Sequence, residues 1–134
     1  FSTGKEPKMR KFSEDHVWTD IKDGEAVVGL TAYAAEELGE ITFIEVPESG
    51  VVLTAGDQLC VVESSKAASD IFVPLGGTVS DVNMRLEESP DLLSTSPEQE
   101  GWICKLNEID PDDVDSLMSE QEYEAYLAGA EEEE

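Results

Sequence analysis

The chain has 134 residues, 40% of them hydrophobic, which suits one domain with a true core. Eight basic residues against 32 acidic ones leave a net charge of −24, which argues against a nucleic-acid backbone or an anionic membrane surface as a partner. The same charge favours a soluble monomer steered toward basic partner surfaces, and no apolar run approaches the ~20 residues that span a bilayer.

Residues 1–12 read as a basic, aperiodic, flexible arm. The opening Phe1 fits either a trimmed organelle-targeting segment or a natural start at Met9. Strands are expected at Val17–Ile21 and Ala26–Leu30, around an Asp23-Gly24 turn whose glycine accepts a positive φ. Thr31–Leu38 reads as a short helix, capped by Thr31 and ended by Gly39 in the left-handed region. Further short strands follow at Ile41–Val46, Val51–Leu53, Gln58–Glu63, Ser69–Val73, Gly77–Val82 and Trp102–Leu106. Gly50, Gly76 and Gly77 are read as positive-φ turn residues. Strands this short and closely spaced suggest a small barrel or sandwich.

After residue 107 the pattern changes. Asp110 caps a helix with Pro111 at its first position. Ser119 and Glu122 form a capping box for a second helix that carries Tyr123, Tyr126 and Leu127 and ends at Gly129. These helices are expected to pack on the β-domain, giving one unit over residues 13–128 and an acidic tail over 129–134.

Catalytic constellations are scarce. His16 is the sole histidine and therefore the sole imidazole base, and no nucleophile elbow or phosphate loop occurs. Cys60 and Cys104 sit singly in apolar runs without metal-ligand spacing, as buried thiols would. The informative feature is Lys66, the one basic residue between Lys22 and Arg85. It lies among small residues between two strand-like runs, with Glu63 and Asp70 on either side. That pattern places a lone amine at a hairpin apex, open to a modifying enzyme. Spacing alone favours an ordinary exposed turn lysine.

The ordered segments around it resemble the glycine cleavage H-protein family over roughly residues 10–128. Residues 63–70, Glu-Ser-Ser-Lys-Ala-Ala-Ser-Asp, are similar to the family's lysine segment. Further matching pieces are Val28-Gly29-Leu30-Thr31, Leu38-Gly39-Glu40, Ala55-Gly56-Asp57, the 74–79 run Pro-Leu-Gly-Gly-Thr-Val, Ser89-Pro90 and Glu100-Gly101-Trp102. The resemblance implies a mainly β barrel-sandwich hybrid, lipoyl-domain-like, with one short internal helix and C-terminal helices. It implies lipoate joined to Lys66 as an amide, and a non-catalytic carrier of the aminomethyl group of glycine. The partners implied are the P-protein (glycine decarboxylase), the T-protein (aminomethyltransferase), the L-protein (dihydrolipoyl dehydrogenase) and a lipoate ligase or lipoyltransferase, in a bacterial cytoplasm or mitochondrial matrix.

By the same resemblance, Glu63 marks the lysine for lipoylation and Asp70 belongs to the pocket of the loaded arm. The family's acidic pocket residue near the N-terminus is replaced here by Val17, and the adjacent Asp15 is the residue expected to stand in. That replacement motivates an alternative, an H-protein-like carrier that relays lipoate or serves another oxidative pathway. A biotin carrier fits poorly, because Ser65-Lys66-Ala67 lacks the methionines that flank a biotinyl lysine.

Overall fold

The computed structural model describes residues 9–22 and 24–132. The first eight residues of the expected arm, Asp23 of the expected turn and the last two residues of the acidic tail lie outside the described residues. In chain order the elements are β1 (Met9–Phe12), β2 (Val17–Lys22), β3 (Glu25–Leu30), α1 (Ala32–Leu38), β4 (Ile41–Glu45) and β5 (Val52–Leu53). Then come β6 (Gln58–Ser64), β7 (Ala68–Phe72), β8 (Gly77–Val82), α2 (Arg85–Glu88), α3 (Leu92–Thr95), β9 (Cys104–Asn107), α4 (Pro111–Asp115) and α5 (Glu120–Glu132). The strands form a six-stranded sheet in the order β1-β2-β3-β9-β8-β5 and a three-stranded sheet in the order β4-β6-β7. Every pairing is antiparallel. The mainly β, two-sheet fold expected from the sequence is therefore present.

The core lies between the sheets. Val17, Val28 and Leu30 of the larger sheet meet Ile44, Val62 and Ile71 of the smaller one, and Leu86 of α2 and Leu93 of α3 plug the gap. Each fully buried Val, Leu or Ile contributes roughly 1.5–3 kcal/mol over leaving it in water. This outweighs any exposed ion pair and explains how so acidic a chain stays compact. Cys60 and Cys104 are free and buried in that core, as read from the sequence. Burial pushes the Cys104 thiol up to about 12 and the Cys60 thiol higher still, so both act as apolar filling rather than nucleophiles.

The outer face of β2 carries a second cluster of Phe12, Trp18 and Tyr123. Trp18 lies opposite Gly29 on β3. A Cβ on Gly29 would stand 2.6 Å from the indole ring, so the glycine is there for close approach rather than for a turn. Phe12 stacks on Tyr123 at 4.6 Å between centroids. Its backbone also exchanges two 2.8 Å hydrogen bonds with Met118, which ties the C-terminal segment to β1.

Several local expectations need correction. Residues 9–12 are not a loose arm but strand β1, paired with β2 in register from Met9↔Ile21 to Phe12↔Trp18. What orders this basic segment is tertiary: Arg10 pairs with Asp20 across the strands, and Phe12 fills the second cluster. Gly129 does not end the last helix, which runs to Glu132; without a positive φ, a glycine weakens a helix but does not stop it. Gly50 does adopt a positive φ of 89°, whereas Gly76 and Gly77 do not. Those two are needed for space, since a Cβ on Gly77 would lie 2.9 Å from the Asn107 carbonyl oxygen and one on Gly76 3.2 Å from that of Leu53. Gly39 has φ 80° and ψ −148°, which is not the left-handed helical region but an extended one that only glycine enters freely. The short helices α2 and α3 had no periodic signal.

The predicted caps are in place. Thr31 Oγ1 accepts from Ala34 N, Asp110 Oδ1 from Asp112 N, and Ser119 and Glu122 close a reciprocal capping box at 2.8 and 3.2 Å. The hydroxyl of Tyr123 sits between Thr31 Oγ1 at 3.0 Å and His16 Nδ1 at 2.8 Å, so it fastens α5 to the start of both β2 and α1.

Two predictions follow from this packing. Thr19 is fully buried, and its hydroxyl has no hydrogen-bond partner among the described residues. Thr19→Val keeps the shape and removes the unpaired oxygen, and should raise unfolding stability in urea by about 1 kcal/mol. His16 has its pKa lowered by partial burial, against smaller opposite effects of Asp15 and Glu37. The unfolded chain then binds the proton more tightly, so this contribution is intact above the ordinary value of 6.5 and is lost as pH falls below it. The stability difference between the parent and His16→Asn should shrink on acidification through that window; a pH-independent difference would contradict the assignment.

Candidate functional site

Lys66 sits at the apex of the β6–β7 hairpin, as the sequence suggests. β6 is the central strand of its sheet, paired on one side with β4 and on the other with β7 from Gln58↔Phe72 to Glu63↔Ala68. The connecting residues Ser65, Lys66 and Ala67 are all exposed.

The turn has no glycine or asparagine and no positive-φ residue. The usual two-residue hairpin turns need such a residue. The side chain of Ser64 supplies the alternative. Its Oγ accepts from the backbone N–H groups of Lys66 and Ala67 at 3.2 Å and donates to the Ala67 carbonyl at 3.0 Å. One backbone bond, Ser64 N to Ala67 O at 2.9 Å, closes the pair. A serine hydroxyl that mimics a backbone group is an established turn device. Sequence reasoning missed it, although a serine two positions before an apex residue in a glycine-free turn was a usable signal.

The apex leans on the C-terminal end of α1. Ser65 N donates to Glu40 O at 2.9 Å, and Lys66 Nζ reaches to 3.5 Å from the Glu37 carbonyl oxygen. The helix end passes under the lysine at Gly39, where an added Cβ would touch Lys66 Cε at 3.4 Å. Gly39 thus serves both the helix exit and the lysine's freedom. Among the described residues no carboxylate holds Lys66 in an ion pair, so the amine is presented rather than sequestered.

The helix behind the lysine is pinned at its other end. Glu98 Oε2 accepts from Ala32 N at 2.8 Å, beside the Thr31 cap. Glu98 is itself held by Arg10, which also grips Asp20 through two nitrogens at 2.6 and 2.9 Å and lies 4.3 Å from the Trp18 ring centroid. The hydrogen bond to Asp20 is the largest influence holding the Arg10 guanidinium charged.

The remaining sequence-nominated residues fall at different distances from the apex. Glu63 is exposed on the outer face of the sheet, between Phe43 of β4 and Ala68 of β7. Asp70 shares that face, opposite Val61, and accepts from Gln58 Nε2 at 2.9 Å rather than turning to the lysine. Asp15 is exposed on the turn before β2, where its N–H is held by Ser13 Oγ. His16, next to it, adopts φ 67° and packs 4.6 Å from the Tyr33 ring of α1. Tyr33 and Glu37 are one helical turn apart and lie between this turn and Lys66. Val17 is fully buried in the main core. A carboxylate at that position would be immersed in apolar side chains, so the residue offers no polar contact to a ligand.

The chain matches the family described as glycine cleavage H-protein over residues 10–130. It is 44% identical over 117 residues to the glycine cleavage system H protein of Caulobacter vibrioides, covering 87% of this chain and 97% of that one. It is 37% identical over 121 residues to the glycine cleavage system H protein of Thermotoga maritima, covering 90% of this chain and 98% of the other. A Schizosaccharomyces pombe protein named as a mitochondrial glycine cleavage system H protein is 43% identical over 114 residues, 85% of this chain and 68% of its own length. Among solved structures, a glycine cleavage system H protein from Mycobacterium marinum superposes with a TM-score of 0.79 and 30% identity, covering 92% of this chain and 99% of that one. A match that spans nearly the whole chain means that the chain belongs to the glycine cleavage H-protein family.

Proposed function

We propose that Lys66 is the residue that carries lipoate, as an amide on its ε-nitrogen. The observation that supports this reading is the lysine's setting: an exposed amine in no ion pair among the described residues, on a glycine-free turn with a glycine beneath it. In the attachment step the lysine ammonium first loses a proton and its charge, the free amine attacks the activated carboxyl of lipoate, an amide bond forms, the activating group leaves with the electrons of its bond, and the nitrogen loses a second proton. Once attached, the dithiolane supplies the disulfide–dithiol couple and the thiol chemistry by which H-proteins shuttle the aminomethyl group of glycine.

The chain's own residues then position and present. Ser64 fixes the direction of the apex, α1 backs it, and Glu63, exposed three residues before the lysine, is available to the lipoylating enzyme. Asp70 and Asp15 are proposed as carboxylates toward the loaded arm, where a protonated amine would gain a charge-assisted hydrogen bond. Asp15 takes this part because Val17 is spent in the core. We read the chain as a non-catalytic carrier that meets the P-, T- and L-proteins in turn, in a bacterial cytoplasm or a mitochondrial matrix. Tethering raises the effective concentration of the carried group at each docked enzyme.

Lipoate ligase with ATP and lipoate should add one lipoyl mass to the parent chain and none to Lys66→Arg, with both giving the same circular dichroism; a lipoylated Lys66→Arg would remove the assignment. The loaded parent, mixed with P-protein, glycine and labelled bicarbonate, should exchange label into glycine. No exchange would leave the lipoyl site standing and overturn the glycine-derived cargo. Ser64→Ala deletes a hydroxyl with three hydrogen bonds and should cost about 1–2 kcal/mol of stability. It should also slow lipoylation, because the apex no longer has one direction; unchanged kinetics would show that the turn holds without the serine.

A further inference from the structure

On the outer face of the three-stranded sheet, the β4 side is accounted for neither by the core nor by the roles proposed for Glu63 and Asp70. Ile41 and Ile44 of β4 both turn inward, which the register shift between Ile41 and Phe43 allows, and Phe43 and Glu45 are left outward. Register then builds two rows across the sheet: Phe43, Glu63 and Ala68 nearer the apex, and Glu45, Val61 and Asp70 behind them. Phe43 is 49% exposed, and Met84, just before α2, is 56% exposed. The two line one groove with Val46 and Pro47. Single exposed apolar residues are ordinary on a protein surface; two large ones sharing a groove, one of them in the strand row that leads to the Lys66 apex, form an apolar contact surface.

The rim identifies the partner by charge. Glu45, Glu48 and Glu87 line the groove, and no basic residue does; Glu63 adjoins it through its pairing with Phe43. A second copy of this chain is a poor occupant, since each copy brings a net charge of −24. An apolar contact ringed by lysine and arginine is the complement. Distance selects among enzymes. Before modification the Lys66 amine extends from the turn by no more than its own side chain. The enzyme that acylates it must therefore cover the backbone around the apex, including the Phe43–Glu63–Ala68 row. Enzymes that use an already tethered group can dock further away.

We propose that the Phe43–Met84 groove, with its acidic rim, is the docking surface for the enzyme that acylates Lys66, a partner presenting an apolar patch set among basic side chains. This rests on the reading of Lys66 as the acylated lysine.

The test follows lipoylation of the unmodified chain by lipoate ligase with ATP and lipoate, read by intact mass and initial rate. Phe43→Ser with Met84→Ser should raise KM for the chain about tenfold, the loss expected of an apolar anchor, with kcat kept within about twofold. Glu45→Lys with Glu87→Lys should do the same and should flatten the rise of KM with salt seen in the parent. Val52→Ser, which alters a residue 74% exposed on the other sheet, should change nothing. Thermal unfolding of each variant separates lost docking from lost fold. An unchanged KM in both double variants, or an equal rise in Val52→Ser, overturns the docking surface while leaving Lys66 as the lipoylated residue. A parent chain that takes no lipoyl mass on Lys66 overturns both.

Discussion

The hydroxyl of Ser64 is the interaction on which the presentation of Lys66 depends. A hairpin whose apex has no residue at positive φ lacks the backbone twist that ordinarily closes two strands. Here the missing closure is made by a side chain: two N–H groups are collected, and one carbonyl is engaged, by a single oxygen. The arrangement leaves the apex positions free of any conformational demand for glycine. A lysine and two small residues therefore occupy them without strain. The strands beneath are held by the core through Val62 and Ile71, so the apex is a short rigid projection from a packed sheet rather than a loop tip.

The second support comes from α1, a helix of only seven residues. A helix this short is marginal by itself and is held by what happens at its ends. At the start, Thr31 and Glu98 satisfy two of the orphan N–H groups, and Arg10 holds Glu98 in place. At the end, Gly39 and Glu40 take the chain out beneath Lys66. In a chain with 8 basic residues these choices are economical: Arg10 serves Asp20, Glu98 and the Trp18 ring, Lys105 lies over the Trp102 ring at 5.2 Å, and Lys66 is exposed at its turn. The exposed acidity elsewhere gives the surface a strong negative field.

What was legible in the sequence was whatever depends on a few neighbouring residues. Alternating apolar positions marked the strands, and Thr31, Asp110, Ser119 and Glu122 marked the caps, because a cap is a bond between residues two or three apart. Lys66 stood out by isolation, and the likeness of its segment to the family's lysine segment is what suggested a role for it. The features that were not legible depend on residues far apart in the chain. β1 has a strand partner only because Arg10 meets Asp20 and Phe12 meets Tyr123. Gly76 and Gly77 look like turn glycines until Leu53 and Asn107 are brought against them. Val17 reads from the sequence as a departure from the family's acidic pocket residue, and only its burial shows it to be a core residue. The Phe43–Met84 groove joins residues from β4 and the start of α2, and no local pattern couples them.

His16 shows how these supports are coupled. A non-glycine residue at φ 67° carries a conformational cost, and it is maintained here because both its backbone and its ring are used. The His16 carbonyl accepts from Thr31 N at 3.1 Å, which sets the residue that caps α1, while the ring meets the Tyr123 hydroxyl that also contacts Thr31 Oγ1. The C-terminal helix, the entry to β2 and the cap of α1 therefore meet in one three-residue network. The far end of α1 is the floor under Lys66. Release of α5 would remove a partner from the Thr31 hydroxyl and from His16 together, and the disturbance would enter α1 at its cap. On this geometry the C-terminal helix is more than a cover for the Phe12–Trp18 cluster. It is the outermost brace of the lysine apex, acting through a helix too short to hold its position unaided.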